Sequence, residues 1–78
     1  MTEMTELQER VLRAVRKLTQ RWGEPPLARD VAREAGVAEH NCKDTLIRLI
    51  VKKAVRRVRG DVPSRDRYEY HGPPMEGR

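Results

Sequence analysis

The sequence has few of the residues that form covalent or metal cross-links. Its 78 residues include one cysteine, Cys42, two histidines, one tryptophan and no phenylalanine. One cysteine excludes an internal disulfide bond, and a cysteine with two histidines provides fewer ligands than a four-ligand structural zinc site needs. The fold must therefore be stabilised by the packing of leucine, valine, isoleucine and alanine.

Long apolar runs are also missing. No stretch of the chain approaches the ~18 apolar residues of a membrane-spanning helix. The N-terminus is acidic, whereas a secretory signal begins with basic residues. We therefore expect a cytoplasmic protein with no contact to membranes.

Side chains suited to catalysis do not cluster in the sequence. Ser64 is the only serine, and it falls in a predicted loop with no obvious general base nearby. His40 and Cys42 are two residues apart, and side chains at that spacing on a helix do not face each other. We interpret Cys42 as a small buried hydrophobic residue, and we expect no enzymatic activity and no cofactor or metal.

Positive charge is concentrated in one short segment. The formal net charge is +5, and residues 52–67 hold seven Lys or Arg against two Asp or Glu. Residues 1–51, in contrast, hold nine Lys or Arg against eight Asp or Glu. Such a cluster is typical of a site that binds a polyanion, although a solvated basic surface carries the same pattern.

Apolar residues recur every three or four positions along the first two thirds of the chain, as they do in amphipathic helices. The first row is Leu7, Val11, Val15, Leu18 and Trp22. A later row is Cys42, Leu46, Leu49 and Lys53, in which only the aliphatic stem of Lys53 would be buried. Together with a short apolar face between these rows, they predict helices over residues 5–21, 27–35 and 39–53.

Capping signals mark the ends of these helices. Thr5 followed three residues later by Gln8 is a capping-box pattern. Gly23 and Gly36 stand where a residue with left-handed backbone commonly ends a helix. These signals support the helix boundaries that the apolar rows predict.

The spacing of apolar residues changes to two after the third helix, which is the alternation of a β-strand. Two such stretches flank a loop rich in turn-forming residues, so residues 54–71 are predicted to form a two-stranded hairpin. Because neighbouring strand residues point to opposite faces, either Arg56 or Arg57 should point away from a ligand and could stack on Tyr68 or Tyr70. The predicted fold is mainly α with a small β-hairpin.

We expect a single domain. It covers residues 5–71, with a flexible N-terminus over residues 1–4 and a disordered tail over residues 72–78. The tail carries two consecutive prolines and shows no periodicity.

Several short patterns follow one another in a recognisable order within this domain. They are Thr5 and Gln8 with Val11-Leu12, Gly23 with Pro25-Pro26, Asp30-Val31-Ala32, Gly36-Val37, Leu46 with Leu49, Lys52-Lys53, and Val55 with Arg57. Together they resemble the N-terminal DNA-binding domain of the LexA repressor and, in the hairpin, winged helix domains of the MarR type. The chain departs from these families at Leu27 and Ala38, where a capping residue is common, and at Lys53-Ala54, where Lys-Gly is usual.

The resemblance implies a three-helix winged helix-turn-helix fold that binds double-stranded DNA as a small transcriptional regulator. The third helix would lie in the major groove and contact DNA through His40, Asn41, Lys43, Asp44 and Arg48. Asn41 can form two hydrogen bonds with adenine and Arg48 two with guanine, and the carboxylate of Asp44 can accept a hydrogen bond from cytosine. The hairpin would reach phosphates or a minor groove through Arg56, Arg57, Arg59, Arg65 and Arg67.

A second apolar row on the third helix supports an alternative. Ile47, Ile50 and Val51 lie beside the row that packs the core, and they would widen that core, contact a second copy or contact another protein. The alternative function is a protein-interaction module that docks on the transcription machinery. If the chain reads an operator with two half-sites, a homodimer is expected.

Overall fold

The computed structural model describes residues 4–71 and confirms the predicted fold class. Three helices, α1 (Glu6–Trp22), α2 (Ala28–Ala35) and α3 (Glu39–Val51), precede the strands β1 (Val55–Val58) and β2 (Arg67–Tyr70). A short 3-10 helix, Pro63–Arg65, lies between the two antiparallel strands. The predicted flexible N-terminus, apart from Met4, and the predicted tail over 72–78 lie outside the described residues. Within the described part of the chain, every helix is too short or too polar to cross a membrane.

α1 begins with the capping box that the sequence predicts. The Thr5 N–H donates to Gln8 Oε1 at 3.3 Å, and the Gln8 N–H donates to Thr5 Oγ1 at 3.1 Å. The helix ends at Gly23, whose φ of 74° lies in the left-handed region that glycine adopts without a steric penalty. Both observed ends lie within one residue of the predicted ones.

The starts of α2 and α3 have no side-chain cap. Leu27 and Ala38 occupy the N-cap positions, and neither side chain bonds to its helix. Each start therefore forgoes about 1 kcal/mol that a serine or aspartate would contribute. Gly36, with a φ of 73°, ends α2 and opens the turn into α3.

α3 ends at Val51, earlier than predicted. The Lys53 N–H bonds to the Ile50 carbonyl and the Ala54 N–H bonds to the Leu49 carbonyl, both at 2.9 Å. These are the two hydrogen bonds of a Schellman motif, in which Lys53 takes the left-handed position with a φ of 64°. The motif turns Lys53 into solvent, so the prediction that its stem is buried is wrong.

The core lies where the three helices meet the hairpin. Its fully buried side chains are Leu46, Leu49, Val11, Val15, Val31, Val55, Pro26 and Cys42. Leu7 and Trp22, predicted as ends of the α1 row, are 38% and 45% exposed. α1 contacts α2, α3 and β2, so its buried face in the middle of the helix is wider than one row and includes Leu12 and Ala14.

Gln8 connects the start of α1 to the end of α3. Its side chain is almost fully buried, and Oε1 accepts a 2.6 Å hydrogen bond from Lys52 Nζ as well as the bond from the Thr5 N–H. An amide oxygen has two lone pairs and can accept both bonds at once. One side chain therefore caps α1 and holds the chain immediately after α3.

The register of the hairpin separates two neighbouring arginines. Arg57 lies opposite Tyr68, and Arg56 lies opposite Glu69. Opposite residues of an antiparallel pair share a face, while neighbouring residues alternate. Arg57 therefore lies on the face of the buried Tyr68, and Arg56 lies on the outer face.

The hairpin is anchored to the segment that precedes α2. Leu27 forms an isolated antiparallel bridge with Arg67, and the Tyr68 N–H donates to the Pro26 carbonyl at 2.9 Å. The hairpin loop is closed by Asp66, whose Oδ1 accepts from the Gly60 N–H at 2.9 Å. These contacts hold the loop beside the first turns of α2 and α3.

Candidate nucleic-acid interface

α3 has one face in the core and one in solvent. Cys42, Leu46 and Leu49 are fully buried and fix which face points inward. The opposite face exposes all five polar residues of α3 that the sequence assigns to DNA contacts, namely His40, Asn41, Lys43, Asp44 and Arg48. The structure therefore places these residues on one accessible helix.

Few interactions within the protein hold these side chains. Lys43 Nζ lies 3.7 Å from Glu39 Oε2, one helical turn earlier, in an exposed pair of the kind that contributes little to stability. The side chains of His40, Asn41, Asp44 and Arg48 form no hydrogen bond or ion pair with another residue in 4–71. They can therefore meet a ligand without breaking existing contacts.

Arg56 and Arg57 interact with carboxylates of their own hairpin. Arg56 Nη2 lies 3.0 Å from Glu69 Oε1, and Arg57 Nε lies 3.9 Å from Asp66 Oδ2. Burial raises the pKa of Tyr68 above its usual value, and the neighbouring Arg57 guanidinium opposes part of that rise. Arg57 therefore shares the inner face of the hairpin with Tyr68, and Arg56 lies on the outer face, because neighbouring residues of a strand point to opposite faces.

The remaining three arginines of the hairpin also differ in whether the protein itself binds their side chains. Arg67 Nη1 donates to the Pro25 carbonyl at 2.8 Å and lies 3.7 Å from Glu24 Oε2, so this side chain attaches β2 to the segment before α2. Arg59 and Arg65 are exposed, and their side chains have no such partner in the part of the chain that the structure describes. Within residues 4–71, two of the five predicted arginines are therefore free cations.

A cleft opens where the hairpin loop approaches the starts of α2 and α3. Its volume is about 360 Å³, and its lining includes the cations Arg29, Lys43 and Arg65, one from each of these three segments. The carboxylates in its lining, Glu39 and Asp66, each lie beside a basic side chain. The uncapped first turn of α2 adds N–H groups and the positive end of the helix dipole.

Arg29 is not among the candidate residues that the sequence indicates. A local signal was present, because Arg29 lies in the first turn of α2, where the helix dipole disfavours a cation. An anion bound beside Arg29 would offset this unfavourable interaction with the helix dipole. That Arg29 lines the same cleft as Lys43 and Arg65 depends on the tertiary structure.

The second apolar row of α3 is divided by the fold. Ile50 is half-buried and packs against the core, which agrees with core widening for that residue. Ile47 is 49% exposed and Val51 is 76% exposed. Ile47 and Val51 therefore form an apolar strip on the same outer surface as the polar residues of α3.

Cys42 lies in the core, as the sequence predicts. Its Sγ lies 3.7 Å from the Ala28 carbonyl, and the side chain is fully buried. Burial, with a smaller contribution from Glu39, raises the pKa of the thiol to about 11. No group of three His, Cys, Asp or Glu side chains within residues 4–71 is arranged to hold a metal.

The raised pKa of Cys42 predicts a loss of stability at alkaline pH. The thiol ionises near pH 9.0 when exposed and near pH 11 in the folded protein, so its contribution is complete below pH 9 and is lost as the pH rises toward 11. Between about pH 8 and 10, the free energy of unfolding should fall by about 1.3 kcal/mol more in the wild type than in Cys42→Ala. Urea unfolding of both proteins measures this difference, and equal losses would show that the thiol is not desolvated.

No protein-family model matches the chain, and no curated protein matches it in sequence. Two features of the surface bear on its function. One is the cleft with its three cations, and the other is the outer face of α3.

Proposed function

We propose that the chain binds double-stranded DNA sequence-specifically, as a small cytoplasmic transcriptional regulator of the winged helix-turn-helix type. In this proposal α3 enters the major groove and the hairpin lies along the phosphates or a minor groove. The observation that carries the proposal is the convergence of Arg29, Lys43 and Arg65 on one open cleft. Cations from three separate segments form such a group only through the fold.

The chemistry of the cleft suits neighbouring phosphates of a DNA backbone, one for each of its three cations. Arginine donates two parallel hydrogen bonds to phosphate, and lysine contributes a compact charge. The uncapped first turn of α2 provides further donors and a favourable dipole. Because Lys43 belongs both to the cleft and to the outer face of α3, a phosphate in the cleft would place base edges near that face.

The outer face of α3 has side chains that can read base edges. Asn41 can pair with adenine and Arg48 with guanine, each through two hydrogen bonds. Both side chains are exposed and have no hydrogen-bond or ion-pair partner among residues 4–71. Phosphate contacts in the cleft would position the protein, and these residues would supply sequence preference.

A second candidate function is a module that docks on another protein, such as a component of the transcription machinery or a second copy of this chain. The exposure of Ile47 and Val51 favours it, because adjacent apolar side chains on a helix are common in protein interfaces. In that case the basic cleft would receive acidic side chains of the partner.

Binding to random-sequence duplex DNA at two salt concentrations tests the proposal. Three phosphate contacts predict a log–log slope of about −2.7, so the affinity should fall about 40-fold between roughly 50 and 200 mM salt. Fluorescence anisotropy of a labelled duplex measures both affinities. An affinity that is undetectable, or that does not change with salt, would reject DNA binding and leave protein docking as the function to pursue.

A further inference from the structure

The outer face of α3 holds a carboxylate beside an aliphatic side chain. Asp44 and Ile47 are three residues apart, so their Cβ atoms are neighbours on the helix surface. Asp44 is exposed and has no hydrogen-bond or ion-pair partner among residues 4–71, and Ile47 is about half exposed. Neither side chain suits a phosphate, because one repels it and the other cannot bond to it.

A pyrimidine edge in the major groove has the matching chemistry. Cytosine presents an amino group that donates a hydrogen bond, and thymine presents a methyl group on C5. A carboxylate only accepts hydrogen bonds, so it disfavours guanine N7 and O6 and thymine O4, which are all acceptors. Adenine has an N6 amino donor, but the N7 acceptor beside it repels a carboxylate. A β-branched isoleucine is stiff at χ1 and offers a preformed apolar surface to a methyl group.

Resting on the proposed DNA binding, we propose that Asp44 and Ile47 form a pyrimidine-reading pair. Asp44 accepts the hydrogen bond of a cytosine amino group, and Ile47 packs against a C5-methyl group beside it. That methyl group belongs either to a neighbouring thymine or to the same cytosine when it is methylated. The pair accounts for an acid and an exposed aliphatic side chain on a helix that faces a polyanion.

The size of the apolar strip favours a base contact over a protein partner. On α3, the strongly exposed apolar side chains are Ile47 and Val51. A stable protein interface buries about 800 Å² on each partner, and two aliphatic side chains provide only a small part of it. The other side chains on this face of α3 are polar or charged, and charged residues are depleted in the core of protein interfaces. A single methyl group, in contrast, is covered by one isoleucine.

The test begins with the duplex that wild-type protein selects from a random pool. Each thymine of that duplex is replaced in turn by deoxyuridine, which lacks only the methyl group, and each cytosine in turn by 5-methylcytosine. At one position, methyl loss should weaken wild-type binding, or methyl gain should strengthen it, by about fourfold, the effect of one buried methyl-sized group. The response at a thymine or at a cytosine identifies the source of the methyl group.

Three variants assign the response to side chains. Ile47→Ala should bind the methylated and unmethylated duplexes equally while keeping the wild-type salt slope. Asp44→Asn should lose the preference for cytosine at the adjacent position, because an amide donates as well as accepts. Leu7→Ala removes a partly exposed aliphatic side chain from α1, 38% exposed against 49% for Ile47, and should keep the full methyl response.

The outcomes separate this inference from DNA binding itself. If wild-type binding depends steeply on salt but Ile47→Ala retains the methyl response, or if no position shows one, the pyrimidine-reading pair is wrong and DNA binding stands. If Ile47→Ala instead dissociates a complex with a second copy or another protein and leaves base preference intact, Ile47 is a protein contact and the inference also fails. Loss of salt-dependent binding in the wild type overturns both proposals.

Discussion

Replacing Arg29, Lys43 and Arg65 together with alanine is expected to weaken duplex binding on the order of a hundredfold at about 150 mM salt. Each cation neutralises one phosphate in the proposed complex and releases the counterions held there. Losing three contacts should therefore flatten the log–log salt slope by about 2.7 and weaken all sequences alike. Anisotropy titrations over a range of salt concentrations give both quantities.

A matched variant separates the cleft from net charge. Arg10, Arg13 and Lys17 lie around a different surface pocket, beside Glu34, and their replacement by alanine removes the same three positive charges. This variant should keep a slope close to that of the wild type, because long-range attraction is screened beyond about 10 Å. Equal losses in the two triple variants would show that binding follows net charge and not the cleft.

Leu46→Ala is expected to have the largest effect on stability. The side chain is fully buried at the centre of α3, and such a truncation leaves a cavity that costs about 2–5 kcal/mol. A domain of this length is stable by only about 4–12 kcal/mol in total, taking about 0.05–0.15 kcal/mol per residue. Urea unfolding followed by far-ultraviolet circular dichroism should show the transition shifted to much lower denaturant, with a substantial unfolded fraction at physiological temperature.

The next residue in the chain provides the control. Ile47→Ala removes a side chain of similar size from the exposed face of the same helix, and its cost should stay below about 1 kcal/mol. A loss similar to that of Leu46→Ala would mean that Ile47 is buried in solution, in a dimer or against the hairpin. A small loss ensures that changes in DNA binding by this variant are not caused by unfolding.

The element order, the fold class and most helix ends could be predicted from the sequence. The reason is that these features depend on residues within four positions of one another. The capping box of Thr5 and Gln8 and the left-handed ends at Gly23 and Gly36 are local hydrogen-bond and backbone effects, and each appears where the pattern predicts it. The exposed polar face of α3 follows from the same helical periodicity.

The candidate site could be predicted only in part from local sequence patterns. The sequence assigns DNA contacts to five hairpin arginines, with either Arg56 or Arg57 pointing away from the ligand. The ion pairs and hydrogen bonds of the other three leave Arg59 and Arg65 free among residues 4–71. Arg29 was missed because its relation to Lys43 and Arg65 exists only across the cleft. The families that the sequence resembles, and the DNA contacts that they imply, stay predictions.

Residues close together in the sequence indicate where the helices and strands begin, where most of them end and which face of α3 is apolar, because periodicity and turn-forming residues act over a few neighbouring positions. Tertiary structure decided which charges are free, as in the bond from Arg67 to a carbonyl 42 residues earlier. It also decided that Ile50 packs against the core, whereas Ile47 and Trp22 are exposed to solvent. Burial and ion pairing depend on which surfaces pack together, and no local pattern specifies that.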